Sequence, residues 1–209
     1  MKTGRTPTDS LTPGAQLPNP KYRASILKSQ FEGVKKTLST EHAAAVFAEL
    51  PHEFIQEVND AVAPEWIGLP DGDIVARAVH TVLGTDGAVA FWRQQTVRFA
   101  KIKIFRSFVK TLLRLFTTPE GLLKAVIHAS NLVSRDMGNH RIVSERDDTQ
   151  ALFIVTEIPR TQRSEAKIAA WEGTILGTFD LLGATGSVES DARRLPNGEL
   201  RINVHWSNH

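Results

Sequence analysis

Apolar and polar positions alternate along several runs near the C-terminal end of the chain, while before them apolar residues recur every three or four positions. In residues 151–158, Leu152, Ile154, Thr156 and Ile158 share one face, and Phe153, Val155 and Glu157 share the other. Such β-branched, two-sided content predicts a central strand. Residues 199–206 alternate more strictly, Leu200, Ile202, Val204 and Trp206 against Arg201, Asn203 and His205, as in a strand with one face on a core and one in water. This strand is expected to pair with residues 187–192 across Pro196-Asn197-Gly198, and residues 139–145 predict an earlier strand that turns at Asp147-Asp148. Between the strands, Ile168, Trp171, Ile175, Phe179 and Leu182 repeat at helical spacing beside a second face of Ala166, Ala169, Ala170, Gly173 and Gly177. Each interior glycine costs roughly 1 kcal/mol relative to alanine, so two of them predict a close backbone approach, expected here against the sheet.

Upstream the pattern is helical. Phe31, Val34 and Leu38 mark a first helix, and Ser39-Thr40-Glu41 opens a second that carries Val46, Phe47 and Leu50 and stops at Pro51. Residues 52–62 turn Phe54, Ile55, Val58, Ala61 and Val62 inward, and residues 64–72 form a turn-rich connection anchored by Trp66. A further helix spans 74–83, with Asp71 or Asp73 as its cap and Gly84 at its end. Thr118-Pro119-Glu120 opens another, through Leu132. The expected class is α+β: an N-terminal helical layer packed with a C-terminal antiparallel sheet that carries one inserted long helix. Residues 1–24, with four prolines, are expected to be a disordered or docking tail, and 25–209 a single ligand- or partner-binding domain.

Composition narrows the chemistry. The 209 residues include no cysteine, which excludes disulfides, thiolate metal sites and thiol nucleophiles. A net charge of +2 is too small to imply nucleic acid. No apolar run has the length of a signal peptide or an uninterrupted transmembrane segment, so a cytoplasmic location is expected. Charge is nevertheless unevenly placed. Between Asp86 and Glu120 there is no acid, but Arg93, Arg98, Lys101, Lys103, Arg106, Lys110 and Arg114 are present beside a stripe of Phe105, Phe108, Leu112 and Phe116. The pattern predicts a cationic amphipathic helix over 101–116, whose stripe packs into the core, docks on an anionic membrane or meets a partner. Arg93, Arg98, Lys101 and Arg106 are candidate contacts for an anion or a partner, with Trp92 as an apolar wall.

Trp171-Glu-Gly173 with Gly177 and Gly183, together with the closing run from Gly198 to Trp206, resembles a superfamily that includes the transport-protein-particle (TRAPP) subunits, vinyl-reductase-type sensor domains and haem–nitric oxide binding domains. More narrowly, residues 31–206 resemble an uncharacterised bacterial family known from myxobacteria. The resemblance implies a ligand-accepting or partner-binding scaffold. Haem–nitric oxide binding domains pair a helix-borne histidine with a Tyr-x-Ser-x-Arg clamp on the haem carboxylates. The only tyrosine here, Tyr22, stands in Tyr22-Arg-Ala-Ser25, so the clamp does not recur, and neither do the cysteines of many vinyl-reductase-type domains.

Two histidines, His80 and His128, lie on predicted helices among apolar residues, where an axial haem ligand can sit; a hydrogen-bonded, partly buried side chain is the ordinary reading of each. Asp136, His140, Glu145, Asp147 and Asp148 have the donor types of an oxygen and nitrogen metal site, but not a recognised spacing. No phosphate-binding loop, zinc-binding His-Glu-x-x-His or nucleophile elbow occurs. The leading expectation is a non-enzymatic sensor or assembly scaffold, without a cofactor, that accepts an apolar small molecule or a protein partner and is compatible with a homodimer. A haem- or tetrapyrrole-binding sensor domain is the alternative, and a metal-dependent enzyme the third reading. Phe105, Phe108, Leu112, Phe116, Val126 and Trp171 are the expected lining of an apolar cavity.

Overall fold

The computed structural model describes residues 19–101, 111, 118–144 and 149–207. The α+β expectation holds: helices pack with antiparallel sheets. Strand β1 (Lys21–Arg23) runs into α1 (Ala24–Thr37), followed by α2 (Thr40–Ala48), α3 (His52–Asp60), β2 (Trp66–Gly68) and the long α4 (Ile74–Lys101). After the segment 102–117, of which only Thr111 is described, come α5 (Pro119–Val133), β3 (Ser134–Arg135), β4 (Asn139–Ser144), β5 (Gln150–Thr156), α6 (Glu165–Leu182), β6 (Thr185–Asp191) and β7 (Leu200–Ser207).

Local chemistry accounts for the boundaries. The Ser39 side chain accepts from the backbone N–H of His42 at 3.2 Å to open α2, and Thr118 accepts from Gly121 at 3.2 Å to open α5, with Pro119 in its first turn. Gly183, at φ 70°, closes α6 in the left-handed conformation. The expected end at Gly84 is a kink instead. Gly84 has φ 68° and ψ −178°, and the helical path resumes beyond it to Lys101. By length and composition α4 can cross a bilayer, with an 18-residue window of mean hydropathy 1.2. The kink interrupts it, and Val75, Ala76, Val79, Ala88, Phe91 and Trp92 are buried in protein.

The main sheet has the order β4-β5-β7-β6, all antiparallel, so β5 and β7 are interior. Directly paired residues point to one face. The pairs Ala151 with Val204, Phe153 with Ile202, and Val155 with Leu200 therefore build one apolar surface, extended by Val188 on β6 and Ile142 on β4. The other face carries Arg141, Asn203 and His205.

A second, three-stranded sheet was not foreseen from the sequence. Its order is β2-β1-β3, and β1 lies inside the first 24 residues. There the Trp66 ring is flanked by the guanidinium carbons of Arg23 and Arg135 at 4.0 and 4.2 Å from its centroid.

Two hydrophobic cores result, and α6 belongs to both. The first joins α1 through α4 with Ala166, Ala169 and Ala170; the second joins the apolar face of the main sheet with Ile175 and Phe179 of α6 and Leu123 of α5. This corrects the expected use of the small-residue face. It lies against α4, not against the sheet. A Cβ built on Gly173 would stand 2.4 Å from the carbonyl oxygen of Val89, and one on Gly177 would stand 2.6 Å from that of Arg93. The sheet's own apolar side chains need the bulkier face of α6 to fill the space above them, whereas two helices can close to backbone contact.

Candidate functional site

Between the two cores lies a cavity of about 420 Å³, within the usual range for small-molecule sites. Its walls come from β1, α1, the C-terminal half of α4, α5 and α6, with His140 of β4 and Phe153 of β5. Ile26, Phe99, Ile127, Leu132, Phe153 and Trp171 set its apolar character. On α6 the lining positions Lys167, Trp171, Thr174, Thr178 and Leu181 follow at alternating intervals of four and three, a single helical stripe. The threonines satisfy their own hydroxyls inside the helix: Thr174 donates to the carbonyl of Ala170 and Thr178 to that of Thr174, each at 2.8 Å. They present methyl groups without an unmet hydroxyl.

One end of the cavity is polar and charged. Lys167 Nζ donates to Asp73 Oδ2 and to Tyr22 Oη, both at 2.9 Å, and Tyr22 Oη donates to Asp73 Oδ2 at 3.1 Å. Asp73 Oδ1 also accepts from the backbone N–H of Ala76 at 3.2 Å and so caps α4. The Lys167 and Asp73 side chains are only 6% and 5% exposed. Burial alone pushes the Lys167 ammonium down, but the Asp73 carboxylate and the Tyr22 hydroxyl outweigh it and hold it above its ordinary range. Burial, reinforced by Asp73, raises the Tyr22 hydroxyl to about 12. The triangle joins β1, the start of α4 and the start of α6.

His140 enters from the sheet. It pairs with Val155, so its side chain belongs to the face otherwise built from Phe153, Val155, Leu200 and Ile202. Its ring centroid is 5.9 Å from that of Phe153 and 6.0 Å from that of Trp171. Burial, then the positive charge of Lys167, lowers its pKa to about 4, so it is a neutral imidazole at pH 7. Three further lining residues carry unspent polar atoms among the described residues: the Trp92 indole N–H, Gln30 Oε1 and Gln95 Oε1.

The sequence candidates fall in different places. Val126 and Trp171 line the cavity. Phe105, Phe108, Leu112, Phe116 and Arg106 lie outside the described residues. Arg93 is committed to a bidentate pair with Asp180 of α6, at 2.7 and 2.6 Å, and Arg98 donates to the backbone carbonyl of Glu32 at 2.6 Å; both tie helices together. Lys101 is exposed at the end of α4. His80 contacts Thr85 Oγ1 at 3.1 Å and His128 is exposed on α5; neither lines the cavity. Asp136 is exposed while His140 turns inward, and Glu145, Asp147 and Asp148 lie outside the described residues. No group of three metal-ligating side chains occurs among the described residues. The reading of the sequence missed the Tyr22–Asp73–Lys167 triangle. A lysine at the head of the stripe through Trp171, Thr174 and Thr178 was its one local signal.

No family model matches the chain, and no curated protein does. Solved structures do. The H-NOX protein from K. algicida, solved in its Fe(II) unliganded state, is similar with a TM-score of 0.62 at 11% identity, over 90% of this chain and 97% of that one. The H-NOX protein from S. oneidensis in the Fe(II)NO ligation state gives 0.55 at 11% identity, over 89% and 99%. A mutant of T. Tengcongensis H-NOX gives 0.56 at 13% identity, over 89% and 98%. The chain therefore has the fold of these proteins. Of the proteins named in the sequence resemblance, those with haem–nitric oxide binding domains share this fold; the TRAPP, vinyl-reductase and myxobacterial resemblances gain no support from these structures.

Proposed function

We propose that this domain is a ligand-binding sensor that holds haem, or a closely related flat tetrapyrrole, in the cavity between α1, α4, α5, α6 and the sheet. The observation that carries this reading is the cavity itself: apolar and aromatic walls with one neutral imidazole, inside a chain of the H-NOX fold. The residues fit the group in two respects. Phe99, Phe153, Trp171 and Ile127 offer surfaces to an aromatic body, and His140 offers a nitrogen donor of the type that holds haem iron. When bound, haem supplies an iron centre that takes a small gas such as nitric oxide. The chain's own residues would supply apolar and aromatic walls and a polar pole: the Lys167 ammonium and the Asp73 carboxylate form a neutral pair at one end of the cavity. The proposed activity is binding, not catalysis.

A second reading, an apolar ligand without a metal, draws on one observation. Lys167 is the only cation among the described lining residues and is already paired, so no arginine there meets the haem carboxylates. Native mass spectrometry and an absorbance scan of the full chain, purified from haem-supplemented cells, test both readings. One haem per chain with a Soret band is the expected result. A different small-molecule adduct selects the second reading, and a bare chain contradicts the first.

A further inference from the structure

We infer that the iron ligand in this cavity is His140, an imidazole carried by the strand β4 rather than by a helix. The inference rests on the haem reading above and goes beyond it, because nothing in the fold similarity assigns a ligand in a chain with so little identity.

Elimination leaves little choice. The chain has seven histidines, two methionines and no cysteine. His42, His52, His128 and His205 are exposed, and His80 contacts Thr85 away from the cavity. Met1 and His209 are at the chain ends, outside the described residues, and the segment 102–117 contains no histidine, methionine or cysteine. Among the described lining residues, His140 and Met137 are the only imidazole and thioether. Lys167 and Tyr22, the other candidate donors, are engaged with Asp73.

The sheet register points the same way. Opposite His140 stands Val155, and the neighbouring pair on that face is Ile142 with Phe153. A core face built only for packing would carry an aliphatic residue at position 140. The imidazole is instead set beside Phe153 and edge-on to Trp171 in the cavity wall. Half-buried and open to the cavity, it offers its ring nitrogens to whatever the cavity holds.

Haem titration of the full chain, followed by absorbance and resonance Raman, tests the assignment. The expected result is an iron–imidazole signature in the wild type. His140→Gly should lose that signature and bind haem about tenfold or more weakly, and added free imidazole should restore the spectrum. His140→Gln, closer in size, covers the case in which the glycine variant does not fold; circular dichroism checks both, and His128→Gln is the control with an unchanged spectrum. A wild-type iron–imidazole signature that persists in His140→Gln overturns the inference and leaves the haem reading standing. A wild type that takes up no haem overturns both.

Discussion

The two faces of α6 are packed by opposite rules. Toward α4 the helix presents Ala166, Ala169, Gly173 and Gly177, and at the glycines the two backbones come so close that a single added carbon collides with a carbonyl. Along the adjoining stripe, Lys167, Trp171, Thr174, Thr178 and Leu181 face a cavity of about 420 Å³. One helix therefore both closes a gap completely and leaves one open. Protein interiors are close-packed, and an unfilled void forfeits contact energy, so a chain able to close the first gap has the means to close the second. The open side reads as a site, and the closed side as the support that holds it.

The comparison breaks most severely at its charged pole. Lys167→Met leaves the Asp73 carboxylate buried without its counter-charge and should cost about 3–5 kcal/mol in urea unfolding. Adding Asp73→Asn should recover most of that loss, since a neutral amide can still cap α4 at the N–H of Ala76. A double variant as unstable as the single would show that the pair is not the source.

Next in size is the alkaline limb. The Tyr22 hydroxyl titrates near 12 in the folded chain against 10 in a free tyrosine, so the unfolded chain loses this proton first. The contribution is fully present below pH 10 and is lost as pH rises from 10 through 12, by at most about 3 kcal/mol. Tyr22→Phe should flatten the fall in stability over this window, measured by denaturant titration at pH 9, 10 and 11.

The closed face should then yield a smaller effect, and the open face the smallest. Gly173→Ala adds one methyl against the Val89 carbonyl and should lower stability by about 1–3 kcal/mol, despite the better helix propensity of alanine. Thr174→Leu adds more atoms but into open space, and should change stability by less than about 1 kcal/mol while weakening ligand uptake. Equal costs for the two substitutions, read from thermal melts, would remove the distinction between the faces.

Much of the fold was legible because it obeys local periodicity. The alternation of Leu200, Ile202, Val204 and Trp206 gave β7 and its inward face, and the helix caps at Ser39 and Thr118 stood at the expected boundaries. The glycines of α6 announced a close approach, but not its partner, because a small-residue face suits a sheet and a helix equally. The β2-β1-β3 sheet was hidden in strands of only two or three residues, too short for a period to show. The site was less legible still. Tyr22, Asp73, His140 and Lys167 are far apart in sequence and meet only through tertiary packing, and His140 looked like one member of an acidic cluster until the sheet register turned it inward.

The central claim, that the open side of α6 is where haem is held, is tested most directly by titrating haem into the wild type and into Thr174→Trp, which plugs the cavity from the middle of the stripe. One haem per chain in the wild type, with binding at least about tenfold weaker in a folded Thr174→Trp, is the predicted result. Equal uptake by both would contradict the account, because the haem would then be held elsewhere.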